Sequence, residues 1–368
     1  MLFIMVDKST YCSLSTSAWD DRNKKMCCFA NLPKYKNYKE MHNNNTVKQL
    51  VNDLQNGIRS PTCKPCWAME DDGIFSMRQQ SLQNEGLPKT NDFLQQELQD
   101  KKLKYLILDS GIQCNFACRT CGPWSSTGHH KEWAEKNRGW IWKTDNVDLE
   151  SLLKQDLSNV KNIEVLGGEP FTNLDHLKVI DKLKNSQPYW LTYTTNGSVR
   201  LRKEILDKFT SFKAVNICLS IDAIGKPFEY IRTLGKWDQI VKNVANLQEQ
   251  KKTYKHLGIN AHITISALNV LYINESIDWF NSKNIKFDFT YCYDPKEYSM
   301  NLFNEKQKQH IINYLKNKKE TAPIINHIEN SKFDKELLET FKNAVSFTEK
   351  FRKLSLKDYL PKLHELVI

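Results

Sequence analysis

Cys114, Cys118 and Cys121 stand as C-x3-C-x2-C directly after a run of apolar β-formers, Leu103–Asp109. Three thiolates on one short loop can hold three irons of a cubane cluster and leave the fourth open to another molecule. A structural zinc or iron–sulfur site normally takes four protein ligands, so three is a functional number. The carboxyl end of a strand is also where barrels and open α/β sheets place their chemistry. The chain has ten cysteines, and eight of them (these three with Cys12, Cys27, Cys28, Cys63 and Cys66) fall before residue 122. In a long chain without a secretory signature, such spacing points to metal ligation rather than to disulfides. Cys63-x2-Cys66 can put two thiolates on one metal, and Cys12 with Cys27 or Cys28 could supply the other two. By spacing alone, zinc fits that set about as well as iron–sulfur. Cys218 and Cys292 lie in β-rich runs and read as small buried hydrophobes.

The elements that must position these residues follow from periodicity. Leu103–Asp109, Asn162–Leu166, Tyr189–Thr195, Val215–Ile221, Ile259–Ser266 and Phe287–Tyr293 read as buried strands. Helical spacing lies between them, as in Leu174–Leu183 and Trp237–Leu247, so each repeat has the size of a βα unit. Parallel strands with right-handed crossovers follow. The fold class is α/β, a partial (β/α)6 TIM-like barrel spanning residues 91–300. Residues 1–90 read as a small cysteine-bearing module, too poor in apolar residues to hold itself without metal. It has a short helix at Thr46–Asn56 and a connector at Gln80–Thr90. Residues 301–368 read as a helical tail, with helices at Glu305–Lys319, Lys335–Ala344 and Ser346–Leu354 and no chemical motif.

Further polar residues sit where the strands end. Gly167-Gly168-Glu169-Pro170 follows the second strand; glycines let a ligand approach the backbone, and Glu169 can accept from an ammonium. Asn196 follows the third strand, and Ser220 and Asp222 end the fourth. By themselves Asn196-Gly197 is a turn and Asp222 a helix cap. Arg232 could pair with a ligand carboxylate or make a surface ion pair. Ser266 and Asn269, after the fifth strand, are weaker candidates. His129-His130 reads as a solvated helix face, and Trp124, Trp133, Trp140 and Trp142 as packing or the rim of a substrate mouth.

The three-cysteine loop resembles the signature of the radical S-adenosylmethionine (SAM) superfamily, with Thr120 where an aromatic residue is usual. The resemblance implies a [4Fe–4S] cluster on Cys114, Cys118 and Cys121 whose open iron chelates SAM, and reductive cleavage of SAM to a 5′-deoxyadenosyl radical that takes hydrogen from a substrate. Gly167, Gly168 and Glu169 match the segment that holds the SAM amino group. Asn196, Ser220, Asp222 and Arg232 match positions for the ribose and the methionine carboxylate, and Ser266 and Asn269 positions for the ribose and adenine. After Cys66, Glu70, Gly73, Ser76 and Arg78 occur as E-x2-G-x2-S-x-R. With Cys121–Ser126, Phe228–Arg232 and Ser266–Asn269, this stretch resembles radical SAM proteins that carry an N-terminal twitch domain, a shortened SPASM domain. That likeness covers roughly residues 10 to 295. It implies a second, auxiliary [4Fe–4S] cluster on Cys12, Cys27, Cys63 and Cys66. Cys27 is preferred to Cys28 because the first cysteine of such a pair falls on the SPASM spacing. Arg22 stands where a turn glycine is usual. The resemblance further implies a flavodoxin- or ferredoxin-type electron donor and an unknown peptide or small-molecule substrate. An extra cluster suits net oxidation, so oxidation or epimerisation of a peptide or carbohydrate-like molecule is the expected reaction.

Composition narrows the remaining classes. The 53 Lys and Arg against 43 Asp and Glu give a net charge of +10 without a block of like charges, which fits solubility first and an anionic partner second. Modification of RNA is therefore the alternative reading, with a strong salt dependence as its mark. A non-catalytic zinc scaffold is the remote one. The longest apolar stretch, Met1–Val6, is far short of the roughly 18 residues of a membrane span and lacks the flanks of a secretory signal, so the expected location is the cytoplasm.

Overall fold

The computed structural model describes residues 10–71, 73, 76–83, 102–139, 147–184 and 188–368. Trp140, Trp142 and most of the Gln80–Thr90 connector lie outside them. Seven strands form one all-parallel sheet in sequential order: β1 (Ala18–Asp20), β2 (Tyr105–Asp109), β3 (Asn162–Leu166), β4 (Trp190–Thr195), β5 (Ala214–Ser220), β6 (Leu257–Ile265) and β7 (Lys286–Tyr291). The sheet curls but does not close, as expected of a partial barrel. Six of the strands match the expected ones within two residues at each end. The seventh corrects the count of six: Ala18 pairs with Tyr105 and Asp20 with Ile107, so the N-terminal segment adds an edge strand to the barrel.

Each strand keeps one face against helices and the other towards the hollow of the sheet. Ile163, Val165, Leu191, Tyr193, Val215, Ile217, Leu219, Ala261 and Ile263 are buried on the outer face, under helices such as Leu177–Leu183 and Trp237–Thr253. That layer is the main core. The C-terminal segment is helical as expected, but Lys335–Arg352 is one continuous helix where a break at residue 345 was expected. Among the described residues, no helix is long and apolar enough to cross a membrane.

The turn after β1 forms despite Arg22. The Asp20 carboxylate accepts from the backbone N–H of Arg22 (3.1 Å) and Asn23 (3.0 Å), and Lys24 takes the left-handed position at φ 53°. Asp20 then bridges Lys25 in antiparallel fashion, so an Asx-type turn replaces the expected glycine.

His176 precedes Leu177–Leu183 and is 1% exposed, with Nδ1 3.0 Å from Asn173 O and Nε2 3.0 Å from Tyr193 Oη. Burial pushes its pKa down from 6.5 to about 4, so the fold holds it neutral. The unfolded chain protonates it near 6.5. Its contribution to stability is therefore complete above that pH and is lost as pH falls through 6.5 towards 4. At pH 5 the loss reaches about 2 kcal/mol. Urea unfolding at pH 7.5 and pH 5 should show an acid-induced drop smaller by about that amount in His176→Gln; equal drops would refute the assignment.

Candidate functional site

The loop after β2 carries Cys114, Cys118 and Cys121, and backbone bonds hold its path. Gly168 N–H donates to Gly111 O (2.7 Å) and Glu169 N–H to Gln113 O (2.8 Å), tying the loop to the β3 tip. Ala117 N–H donates to Thr233 O (3.0 Å) and Arg119 N–H to Ile231 O (2.7 Å), tying it to the segment after β5. At Gly168 a Cβ would stand 2.4 Å from Gln113 O, which explains the glycine by close backbone approach.

Two polar side chains turn towards the sulfurs. Asn196 Nδ2 lies 3.9 Å from Cys114 Sγ, and Arg232 Nη1 lies 3.8 Å from Cys118 Sγ. Burial raises the pKa of all three thiols, that of Cys118 to about 12, and Arg232 works in the opposite direction on each. The triad is thus a set of three soft ligands with a cation beside it, which suits thiolates bound to iron. The Arg232 guanidinium also pairs with Asp222, Nε to Oδ2 at 2.9 Å, with Asp222 fully buried. Its pKa is moved by opposed causes: burial lowers it, but Asp222 and Cys118 raise it more, so it rises.

The remaining strand-tip residues divide into two groups. Glu169 is 1% exposed and accepts from Thr195 Oγ1 (2.7 Å), Asn196 N–H (2.7 Å) and Phe171 N–H (3.2 Å). It joins the β3 and β4 tips and keeps lone-pair capacity for one more donor. Burial raises its pKa against these bonds. Ser220 ends β5, half-buried, opposite His262 of β6. Ser266 and Asn269 are both fully buried. Asn269 accepts from Ser266 N–H (2.8 Å) and donates to Asp222 O (2.8 Å) and Thr264 O (2.9 Å). Its amide is saturated, so here it clamps the β5 and β6 tips together instead of facing a ligand.

The N-terminal cysteines converge as well. Cys12, Cys27, Cys63 and Cys66 line one small cavity with Leu14, Met26 and Arg78; Cys28 is not among its walls. Burial raises the pKa of Cys12 and Cys66 to about 12 each and that of Cys63 further still, and the neighbouring thiols add to it. The E-x2-G-x2-S-x-R pattern closes over this cavity. Glu70 accepts from Arg78 through two bonds, Nε–Oε1 at 2.9 Å and Nη2–Oε2 at 2.8 Å, and from Ser76 Oγ. Gly73 turns the chain at φ 76° between them. Arg78, 2% exposed, also donates to Tyr11 O (2.8 Å), beside Cys12. Among the described residues, no group of three or more His, Cys, Asp or Glu is drawn together as a cage for a single metal ion. The three thiols of the loop and the four of the N-terminal cavity are two separate sets of soft donors.

Several contacts at the site carry no local sequence signal. Arg22 donates to Trp124 O (3.1 Å) and Ser125 Oγ (2.8 Å), pinning the N-terminal segment to the cysteine loop. Arg119, 3% exposed, lies with its guanidinium 3.7 Å from the Tyr230 ring centroid and donates to Thr348 of the tail helix. Arg352 reaches Glu132 (2.6 Å), Ala117 O (2.8 Å) and Thr233 Oγ1 (2.8 Å). The tail, which carries no chemical motif, therefore braces the loop from behind. His129, expected on a solvated face, is 6% exposed because that tail helix covers it. Trp124 is 39% exposed, whereas Trp133 borders the cavity between loop and tail.

Residues 110–264, from the loop after β2 into β6, match the radical SAM superfamily. That family implies a [4Fe–4S] cluster and SAM. Among solved structures the chain is similar to "Native anSMEcpe with bound AdoMet and Cp18Cys peptide", at 19% identity over 62% of each chain and a TM-score of 0.41. It is also similar to "Native anSMEcpe with bound AdoMet", at 17% identity over 64% of each chain and a TM-score of 0.42. The similarity thus spans less than two thirds of those chains. No curated protein matches the sequence.

Proposed function

We propose that the protein is a radical SAM enzyme with two [4Fe–4S] clusters. It would oxidise or epimerise a peptide or a carbohydrate-like molecule, in the cytoplasm, with electrons from a flavodoxin- or ferredoxin-type donor. The observation that carries the reading is the Cys114–Cys118–Cys121 loop, held at the end of β2 with Arg232 and Asn196 beside its sulfurs, inside a domain of that superfamily. When bound, the cluster and SAM supply a hydrogen-abstracting radical. The protein's own share is to orient and enclose them. Cys114, Cys118 and Cys121 would hold three irons, and Gly167, Gly168 and Glu169 would receive the SAM amino group. Asn196, Ser220, Asp222 and Arg232 would take its hydroxyls and carboxylate. Ser266 and Asn269 would act from behind by fixing the strand tips.

The cavity formed by Cys12, Cys27, Cys63 and Cys66 supports an auxiliary cluster, with Cys27 rather than Cys28 as ligand. Four protein thiolates leave no open iron, which fits an electron relay for a net oxidation. The three-part organisation at residues 1–90, 91–300 and 301–368 belongs to the same proposal, with β1 and the tail helix as its points of attachment.

Anaerobic purification with iron and sulfide counts, and EPR of the reduced protein with and without SAM, tests the reading. About eight irons per chain are expected, in two [4Fe–4S] signals of which one shifts on adding SAM. Cys66→Ala should lose about half the iron and keep the SAM-sensitive signal. A SAM-sensitive signal with about four irons in the unaltered protein would remove the auxiliary cluster and the relay. Zinc alone would overturn the proposal.

A further inference from the structure

Arg22 occupies the turn after β1, where the family resemblance implies a glycine. The turn requires neither residue. It closes through the Asp20 carboxylate on the N–H groups of Arg22 and Asn23, a contact open to any residue but proline, and Lys24 takes the left-handed position. What the arginine adds is its side chain. Nη2 crosses to the cysteine loop and donates to Trp124 O (3.1 Å) and Ser125 Oγ (2.8 Å), 102 and 103 residues further along the chain.

These two acceptors lie in the middle of a segment that holds cysteines at both of its ends. Directly after Cys121, Gly122 O accepts from the N–H of Ser125 (3.0 Å) and of Ser126 (3.1 Å). At the other end, Thr127 N–H donates to Ile112 O (3.0 Å), and Thr127 Oγ1 accepts from Cys114 N–H (3.2 Å). Between them Ser126 Oγ donates to Phe116 O (2.6 Å). A grip on Trp124 and Ser125 therefore fixes the return path from Cys121 to Cys114.

The grip starts from the four-thiol module. Asp20 and Lys25 exchange backbone bonds, N–H to O at 2.7 and 3.4 Å, which carries the turn on to Met26 and Cys27. Lys25 Nζ donates to Ala30 O (2.5 Å), and Asn31 N–H to Thr62 O (2.9 Å), next to Cys63. One run of bonds thus leads from the N-terminal cavity to the cysteine loop, with Arg22 as its last link.

Arg22 also brings a charge. The carboxylates around it are engaged elsewhere: Asp20 holds the turn, Asp21 pairs with Lys24 Nζ at 2.8 Å, and Asp109 accepts from Gly111 N–H (3.0 Å). Burial raises the pKa of Cys121 and of Asp109, and Arg22 opposes the rise at both, so its field reaches the loop and the carboxyl end of β2. A cation favours negative charge added near it, and by more in a half-buried setting than in water.

We propose that Arg22 is a positioning residue of the cysteine loop: through it the N-terminal module fixes residues 122–126 and lends the loop a positive charge that eases reduction of a cluster held there. The inference rests on the radical SAM reading and deepens it, because it gives the module a task at the SAM-binding cluster whether or not the module carries a cluster of its own. The electron is that of the flavodoxin- or ferredoxin-type donor, which loses one as the cluster gains one.

The test uses the anaerobically purified full chain and the variants Arg22→Lys, Arg22→Gln and Arg22→Gly. Hydrogen exchange read by mass spectrometry should quicken about tenfold at residues 122–126 of Arg22→Gly, the loss of roughly one hydrogen bond, while β4 to β6 keep their wild-type rates. Arg22→Gln, too short to reach both acceptors, gives the same readout should Arg22→Gly fail to fold. Reductive titration is followed by EPR of the SAM-sensitive signal and normalised to the fully reduced signal. At equal applied potential Arg22→Gln should be about tenfold less reduced than wild type, a shift of about 59 mV for one electron. Arg22→Lys keeps the charge and should stay close to wild type. An arginine that served the fold alone would leave the potential of Arg22→Gln where it is. Unchanged exchange at residues 122–126, a wild-type potential in Arg22→Gln, or an equally low one in Arg22→Lys would each overturn the assignment. A wild-type chain with no SAM-sensitive signal would refute the functional proposal, and the exchange rates would still decide whether Arg22 holds the loop.

Discussion

Cys118→Ala is expected to reduce SAM cleavage to the background of the reaction mixture and to remove about four of about eight irons, with the SAM-sensitive EPR signal gone. The path of the loop does not depend on this sulfur. It is set by backbone bonds from Ala117 and Arg119 to Thr233 and Ile231 and by Cys121 N–H to Cys118 O (3.0 Å). Alanine keeps all of them, so thermal unfolding of the cluster-free variant should stay close to that of cluster-free wild type. What disappears is the thiol next to Arg232, with Cys114 and Cys121 left as two ligands where a cubane needs three from this loop. A second measurement guards against general damage. Cys292→Ala removes a 4% exposed thiol just after β7 that donates to Pro295 O (3.7 Å), and it should retain cleavage. Cleavage that survives in Cys118→Ala would end the assignment of the catalytic cluster to this loop.

How far the sequence discloses this structure depends on the range of each signal. The cysteine loop is legible because all its ligands lie within eight residues, and β2 to β7 because parallel strands under helices read as apolar runs. β1 escapes because three residues, Ala18-Trp19-Asp20, are too few to show a period. The contacts of Arg22, Arg119 and Arg352 join segments about a hundred residues apart or more, and nothing near any of the three in sequence marks its partner. The polar inner face of the sheet, whose residues on β3 to β7 line a cavity of about 340 Å³, is a different case. Its signal is present in the alternation Thr192/Thr194, Asn216/Cys218/Ser220, Asn260/His262/Thr264 and Asp288/Thr290, every second residue against an apolar partner. Reading those runs as buried on both faces hides it. A polar period of two inside an apolar strand marks a face that lines a cavity, and it should be weighed before a strand is assigned wholly to the core. The E-x2-G-x2-S-x-R pattern shows the converse: its residues are distinctive in sequence, yet only the fold shows that Glu70, Ser76 and Arg78 form one closed network around a glycine turn.

Arg232→Met is expected to cost about 3–5 kcal/mol of stability, because it leaves the Asp222 carboxylate fully buried without its cation. Among the described residues Asp222 keeps the Thr264 N–H (2.8 Å) as its one carboxylate donor, and the solvation lost on burial is not replaced. The double variant Asp222→Asn/Arg232→Met separates this cost from the role of Arg232 at the cluster. Replacing a whole buried pair by neutral groups of similar volume is often neutral or stabilising, so the double variant should regain most of the lost stability. It still lacks the guanidinium 3.8 Å from Cys118 Sγ, which favours the thiolate over the thiol. Chemical unfolding of the two variants should therefore differ by several kcal/mol, while both assemble the SAM-sensitive cluster less completely than wild type at the same supply of iron and sulfide. Equal stabilities would show that the ion pair is not what holds the β5 tip. Full cluster assembly in the double variant would show that Arg232 serves Asp222 and not the cysteine loop.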